Sequence, residues 1–276
     1  MARLPVISCK NETFLKTAVQ SSHILKNPCM PFRASCPSSG PGRENNLQRL
    51  QIQSNSKSGE DFLLKMERLS QKVWEKELFT SPFLLDLYDG NLPRQKFAQY
   101  LIQDYHYLGG LARAMAMAAA RTQDLFTIKA FYTHMKITID YEYPRVWKMM
   151  TRFGVRKTTL ENSRPKPGTM AYTNFLFDTC AKSSPAEVVA AIYPCNFSYR
   201  EIGKKIRPAL KKYYNIPEAY ISFNLFQRRV FTESAANTLK VLARGAAKAT
   251  REYETKILEK FYAATKFERG FWDQNY

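Results

Sequence analysis

The sequence predicts an all-α fold. Apolar residues recur at three- and four-residue spacing along most of the chain after Gly59, and no alternating run of β-branched residues bounded by turns interrupts them. Short clusters of Pro, Gly, Asn and Ser separate the periodic segments. At 276 residues with 45% hydrophobic side chains, the chain can bury one substantial core, so one folded domain with a tail is expected.

Residues 1–58 lack hydrophobic periodicity and include Ser35-Cys36-Pro37-Ser38-Ser39-Gly40-Pro41-Gly42, which predicts a disordered N-terminal extension. Their acids are Glu12 and Glu44, against Arg3, Lys10, Lys16, Lys26, Arg33, Arg43, Arg49 and Lys57. That balance fits an organellar transit peptide as well as a plain tail. The folded domain is expected over 59–276, with helices at about 60–78, 82–89, 94–121, 124–152, 169–182, 185–213, 218–231 and 233–272. Asn91-Leu92-Pro93, Arg164-Pro165-Lys166-Pro167-Gly168, Ser183-Ser184-Pro185 and Asn215-Ile216-Pro217 mark breaks between them.

The formal net charge is +18, from 42 Lys and Arg against 24 Asp and Glu. Such a balance favours anionic partners. No zinc-finger spacing, RNP-like aromatic motif or P-loop accompanies it, so nucleic-acid recognition is not expected. The stretch from Leu111 to Ala120 is broken by Arg113 and is far shorter than the roughly 20 residues of a membrane span. Five cysteines, with Cys9, Cys29 and Cys36 in the tail, do not read as a disulfide framework. They suit a reducing compartment, the cytoplasm or, with a transit peptide, a mitochondrion or plastid. Three histidines, His23, His106 and His134, argue against a His-rich metal site.

Three long helices each carry one group out of place on an otherwise apolar face. After Pro93 the stripe reads Phe97, Leu101, Asp104, Leu108, Leu111, Met115. After Pro185 it reads Val188, Ile192, Cys195, Tyr199, Ile202, Ile206, Leu210, with Pro194 directly before the thiol. The last helix gives Ile257, Phe261, Ala264, Glu268, Trp272. If the three faces converge, a nucleophile and two carboxylates meet in one pocket, the parts of covalent catalysis with acid–base assistance. Periodicity alone leaves this open: a buried thiol is usually a small hydrophobe, an inward carboxylate is usually ion-paired, and Tyr172 and Tyr199 read equally as core aromatics. His106 should point away from Asp104. Gly109 and Gly110, among Ala112, Ala114, Ala116 and Ala118 to Ala120, suggest close helix packing or backbone approach to a ligand. Lys240, Arg244, Lys248 and Arg251 read as a solvated basic face.

Four segments give the chain a family resemblance from about residue 60 to its end: Tyr100-Leu101-Ile102-Gln103-Asp104-Tyr105-His106-Tyr107-Leu108, Pro167-Gly168-Thr169-Met170-Ala171-Tyr172-Thr173-Asn174, Tyr193-Pro194-Cys195-Asn196-Phe197-Ser198-Tyr199-Arg200-Glu201-Ile202-Gly203, and Phe267-Glu268-Arg269-Gly270-Phe271-Trp272-Asp273. In their order and spacing they resemble the TenA proteins, also called thiaminase II or aminopyrimidine aminohydrolase, which have the heme-oxygenase-like helical fold. The resemblance implies a hydrolase of thiamin salvage, acting on an aminopyrimidine or thiamin, assembled as a homotetramer and needing no metal or organic cofactor. It implies Cys195 as nucleophile, Glu268 as acid, and Asp104, Tyr107, Tyr172 and Tyr199 as substrate-binding groups.

Some positions depart from that family's pattern. A pocket tyrosine expected about 28 residues after the cysteine falls at Phe223 or Asn224, in Tyr220-Ile221-Ser222-Phe223-Asn224. A histidine expected four residues after a glutamate is Val146, after Glu142. Gly109-Gly110 replaces bulkier residues, and Asn196-Phe197 follows the cysteine. These changes predict a differently lined pocket. Two other readings stand beside the hydrolase: a cofactor-biosynthesis oxidase on the same fold, which needs histidines the chain lacks, and a non-catalytic helical module binding an anionic partner.

Overall fold

The computed structural model describes residues 62–213, apart from 70 and 72, and residues 250–276, with 205–213 as helical backbone. The predicted tail, the helix at 218–231 and Phe223 and Asn224 lie outside these residues. Among the described residues the chain is helical and contains no strand. The elements are α1 (62–69), a π-helical turn Trp74–Leu78, α2 (Pro82–Asp89), α3 (Arg94–Ala120), α4 (Leu125–Ile137), a second π turn Thr138–Glu142, α5 (Tyr143–Arg152), α6 (Lys157–Glu161), α7 (Pro167–Lys182), α8 (Pro185–Tyr213) and α9 (Arg251–Asp273).

Local chemistry sets most of these boundaries. Pro82 and Pro167 stand in the first turns of α2 and α7, where a missing N–H is harmless. Gly90, at φ 80°, supplies the left-handed residue that ends α2. The Asp124 carboxylate accepts from the Phe126 and Thr127 amides and starts α4.

The helix predicted at 60–78 ends in the π turn Trp74–Leu78, and two further predicted helices differ from the observed ones. The segment 124–152 is interrupted by the π turn at Thr138–Glu142, immediately before Pro144. Proline has no N–H for the regular ladder and crowds the carbonyl four residues back, so the turn widens there. Within the helix expected over 233–272, a helix starts at Arg251, because Thr250 is extended and its hydroxyl accepts from the Tyr253 amide. Lys240, Arg244 and Lys248 lie outside the described residues.

The helices share one core, in which Phe97, Leu101, Leu108, Leu111 and Met115 of α3 meet Val188, Ile192 and Ile202 of α8 and Ile257, Phe261, Ala264 and Trp272 of α9. None of the described helices is long and apolar enough to cross a membrane.

The glycine pair marks close packing of α3 on α7. A Cβ built on Gly110 would lie 2.5 Å from the Thr173 methyl. Thr173 cannot turn aside freely, because its hydroxyl donates to the Thr169 carbonyl at 2.9 Å. Gly110→Ala would gain about 1 kcal/mol of helix propensity against an overpacking cost of roughly 1–3 kcal/mol. Net destabilisation of about 1 kcal/mol is therefore expected in urea denaturation.

Candidate active site

The displaced polar groups of three stripes, together with α7, meet in one buried cluster. Asp104 comes from the middle of α3, Tyr172 from α7, Cys195 from α8 and Glu268 from α9. Asp104 is 8% exposed and Glu268 only 1%. Cys195 is the partly accessible member. The Tyr172 hydroxyl donates to Glu268 Oε1 at 2.7 Å. Tyr107 packs on Tyr172 with ring centroids 4.9 Å apart, and Phe267 stacks on Tyr172 at 5.5 Å.

Burial without compensating cations controls the protonation of the cluster. It pushes the Glu268 carboxyl up to about 7, although the Tyr172 hydroxyl and the Cys195 thiol both favour its ionised form. Asp104 is raised well above the usual carboxylate range, first by burial and then by the charges of Glu142 and Glu268. Burial also raises the Cys195 thiol well above its ordinary range, aided by Glu268, Glu142 and Asp104, while the Tyr107 hydroxyl pulls the other way. The thiol therefore rests protonated beside a carboxylate able to accept its proton near neutral pH.

Tyr199 belongs to a second layer of the same cluster. Its hydroxyl lies 2.8 Å from the Tyr100 hydroxyl and accepts from Trp272 Nε1 at 3.3 Å. It also lies within electrostatic reach of Asp104, Glu268 and Cys195. Removing it takes a partner from the Tyr100 hydroxyl and from the Trp272 N–H. Tyr199→Phe is expected to cost about 1–3 kcal/mol, read as a lower urea midpoint with an unchanged slope.

Two glutamines missed in the sequence fix the helices that carry these groups. Gln103 Oε1 accepts from the Lys166 amide at 2.7 Å and the Thr169 hydroxyl at 2.8 Å, while Nε2 donates to the Arg164 carbonyl at 3.2 Å. It ties the start of α7 to the turn of α3 that bears Asp104. Gln274 accepts from the Thr169 amide at 3.2 Å and donates to the Thr169 hydroxyl at 2.9 Å. A Cβ on Gly168 would meet Gln274 Oε1 at 2.6 Å, so glycine permits this approach. Thus Gln274 holds α9, with Glu268, against α7, with Tyr172. The only local clue was that Gln103 adjoins Asp104. His106 points elsewhere, with Nε2 2.8 Å from the Ser163 hydroxyl.

The family model described as TENA/THI-4/PQQC matches residues 70–276. The chain belongs to the TENA/THI-4/PQQC family. An aminopyrimidine aminohydrolase of Halalkalibacterium halodurans is 27% identical over 215 residues, covering 78% of this chain and 95% of that protein. A TenA homologue from P. horikoshii superposes with a TM-score of 0.68 at 23% identity, covering 78% of this chain and 97% of the other. A Shewanella denitrificans domain with a heme oxygenase-like fold gives a TM-score of 0.64 at 18% identity over 77% of this chain and 91% of its own. The TENA/THI-4/PQQC match includes all four helices that supply the cluster, and the fold is heme-oxygenase-like.

Proposed function

We propose that this chain hydrolyses an aminopyrimidine of thiamin salvage, replacing the amine of a 5-aminomethyl-pyrimidine, or the thiazole of thiamin, with hydroxyl. The observation that carries this reading is the juxtaposition of the Cys195 thiol with a Glu268 carboxyl poised near neutrality. The aminohydrolase relatives, which this chain matches over most of its length, support the same reaction class.

In this mechanism Cys195 Sγ adds to an electron-poor ring carbon as its proton passes to Glu268. The carboxyl delivers that proton to a free amine, which leaves as ammonia; an ammonium leaves as ammonia and a thiazolium as neutral thiazole without it, and Glu268 then releases its proton to solvent. Water adds to the exocyclic methylene left behind and returns a proton to Glu268. Expulsion of the thiolate, which takes that proton back, restores the aromatic ring. Asp104 pairs with the amidine-like edge of the ring, where a carboxylate or carboxyl matches adjacent donor and acceptor sites. Tyr107, Tyr172 and Tyr199 surround the ring.

The test is incubation of the purified protein with 4-amino-5-aminomethyl-2-methylpyrimidine and, separately, with thiamin, followed by chromatography. Release of hydroxymethyl pyrimidine is expected; its absence with both substrates would end the hydrolase reading.

The same proposal takes 59–276 as the catalytic domain and 1–58 as an extension removable without loss of activity, with the protein in the cytoplasm or, where the extension acts as a transit peptide, in a mitochondrion or plastid. It also includes self-association as a homotetramer. Leu125, Tyr132 and Ile139, seven residues apart and all exposed, support a contact along α4 and the following π turn.

A further inference from the structure

Among the described residues, Glu142 is the acidic group near the cluster that the mechanism leaves unused. Its position is produced by the π turn. Ala130, His134, Thr138, Val146 and Met150 are all buried and Glu142 is half-buried, so six residues at strict four-residue spacing share one inward face. In a regular α-helix each step of four residues overshoots a full turn by about 40°, and five steps would carry the face to the opposite side. The widened turn Thr138–Glu142 absorbs part of that drift. It packs against α3, the helix of Asp104.

The Glu142 charge acts on both Asp104 and Cys195. Thus three carboxyl groups lie within electrostatic reach of the one thiol. Among the described residues, Arg145 is the cation acting on any of the three carboxylates, and it acts on Glu142. These carboxylates are not arranged to share a metal ion, since no described group of three acidic, His or Cys side chains could hold one. Tyr107 beside them is 3% exposed, and its hydroxyl, which faces Cys195 and Tyr172, makes no hydrogen bond of good distance and angle with either. A buried polar atom of this kind is ordinarily satisfied, here by a ligand.

We propose that Glu142 is a specificity residue of this site, its carboxylate selecting substrates whose leaving group carries a positive charge, an aminomethyl ammonium or a thiazolium, over neutral or anionic pyrimidines. The inference rests on the hydrolase reading and deepens it. Burial holds Glu142 up to about 7, a bound cation favours its ionised form, and that charge in turn attracts the cation and repels a phosphate. The carboxylate acts on the bound charge and leaves the thiol addition to Cys195 and Glu268.

The experiment compares wild type, Glu142→Gln and Glu142→Asp. Steady-state kinetics use the aminomethyl-pyrimidine at a pH where its amine is protonated; calorimetry uses the neutral hydroxymethyl pyrimidine. Glu142→Gln is expected to raise KM for the ammonium substrate about tenfold or more, with kcat changed less than about threefold. Its affinity for the neutral pyrimidine should stay within about threefold of wild type, because no charge pairs with that ligand. Glu142→Asp should keep the wild-type ratio of the two ligands, and it carries the test if Glu142→Gln does not fold. An equal weakening of both ligands, a fall confined to kcat, or loss of the ratio in Glu142→Asp would overturn the proposal. An inactive wild type would overturn the hydrolase reading instead; the calorimetric comparison of ammonium and neutral pyrimidines then still reads the charge selection.

Discussion

Replacing Cys195 with alanine is expected to lower kcat/KM on an aminopyrimidine by about three orders of magnitude or more, with the fold retained. In the proposed mechanism the thiol forms the bond to the ring, and the other described thiol, Cys180, is buried and pushed up by burial to about 12. The change removes one small atom from a partly accessible position, so little packing is lost. Steady-state kinetics with a thermal melt of the same sample would check both halves. Activity within tenfold of wild type in the alanine protein would exclude covalent catalysis by Cys195. A Cys195→Ser protein should stay nearly as inactive, because a hydroxyl beside three carboxylates is harder still to deprotonate.

Glu268→Gln is expected to reduce kcat by about 10²- to 10⁴-fold while making the protein more stable above neutral pH. The substituted amide could still accept from Tyr172 but could not carry a proton between Cys195 and the leaving nitrogen. The stability gain follows from the sign of the shift. An unfolded glutamate ionises near 4.5, whereas the folded one holds its proton up to about 7. Between those values the folded state binds more protons, so wild-type stability falls as pH rises from about 4.5 to 7. This interval corresponds to roughly 3 kcal/mol, which the neutral glutamine does not lose. Asp104 and Glu142 are shifted in the same direction, so part of the decline should persist in the variant. Melts of both proteins between pH 4 and pH 9 would measure the difference. Parallel curves would show that Glu268 titrates normally and deny it the proton-transfer role. In the proposed role, a carboxyl held against its own solvation in this way exchanges stability for reactivity.

Much of the architecture was legible because helix ends are written in local chemistry. Pro93, Pro167 and Pro185 mark three starts within two residues, and the stripes of α3 and α9 are buried as their spacing requires. The breaks that were missed are also local: Pro144 and Thr250 carry the information, but it was outweighed by apolar periodicity continuing through them. Periodicity records only which face is inward. It does not register one additional residue in a turn, and that residue is what brings Glu142 to the inside.

The chain's sequence determined the all-helical class, the family, and the fact that Asp104, Cys195 and Glu268 each interrupt an apolar stripe. Each of those facts depends on residues within a few turns of one another. Tertiary structure alone decided that the three groups share one space, that Tyr172 holds Glu268 and that Gln103 and Gln274 lock the helices in register. It also decided how the acids titrate, because a carboxyl shifts with its depth and its neighbours. The partners concerned, Tyr172 and Glu268 among them, are separated by 96 residues, and no pattern along the chain encodes a distance across it.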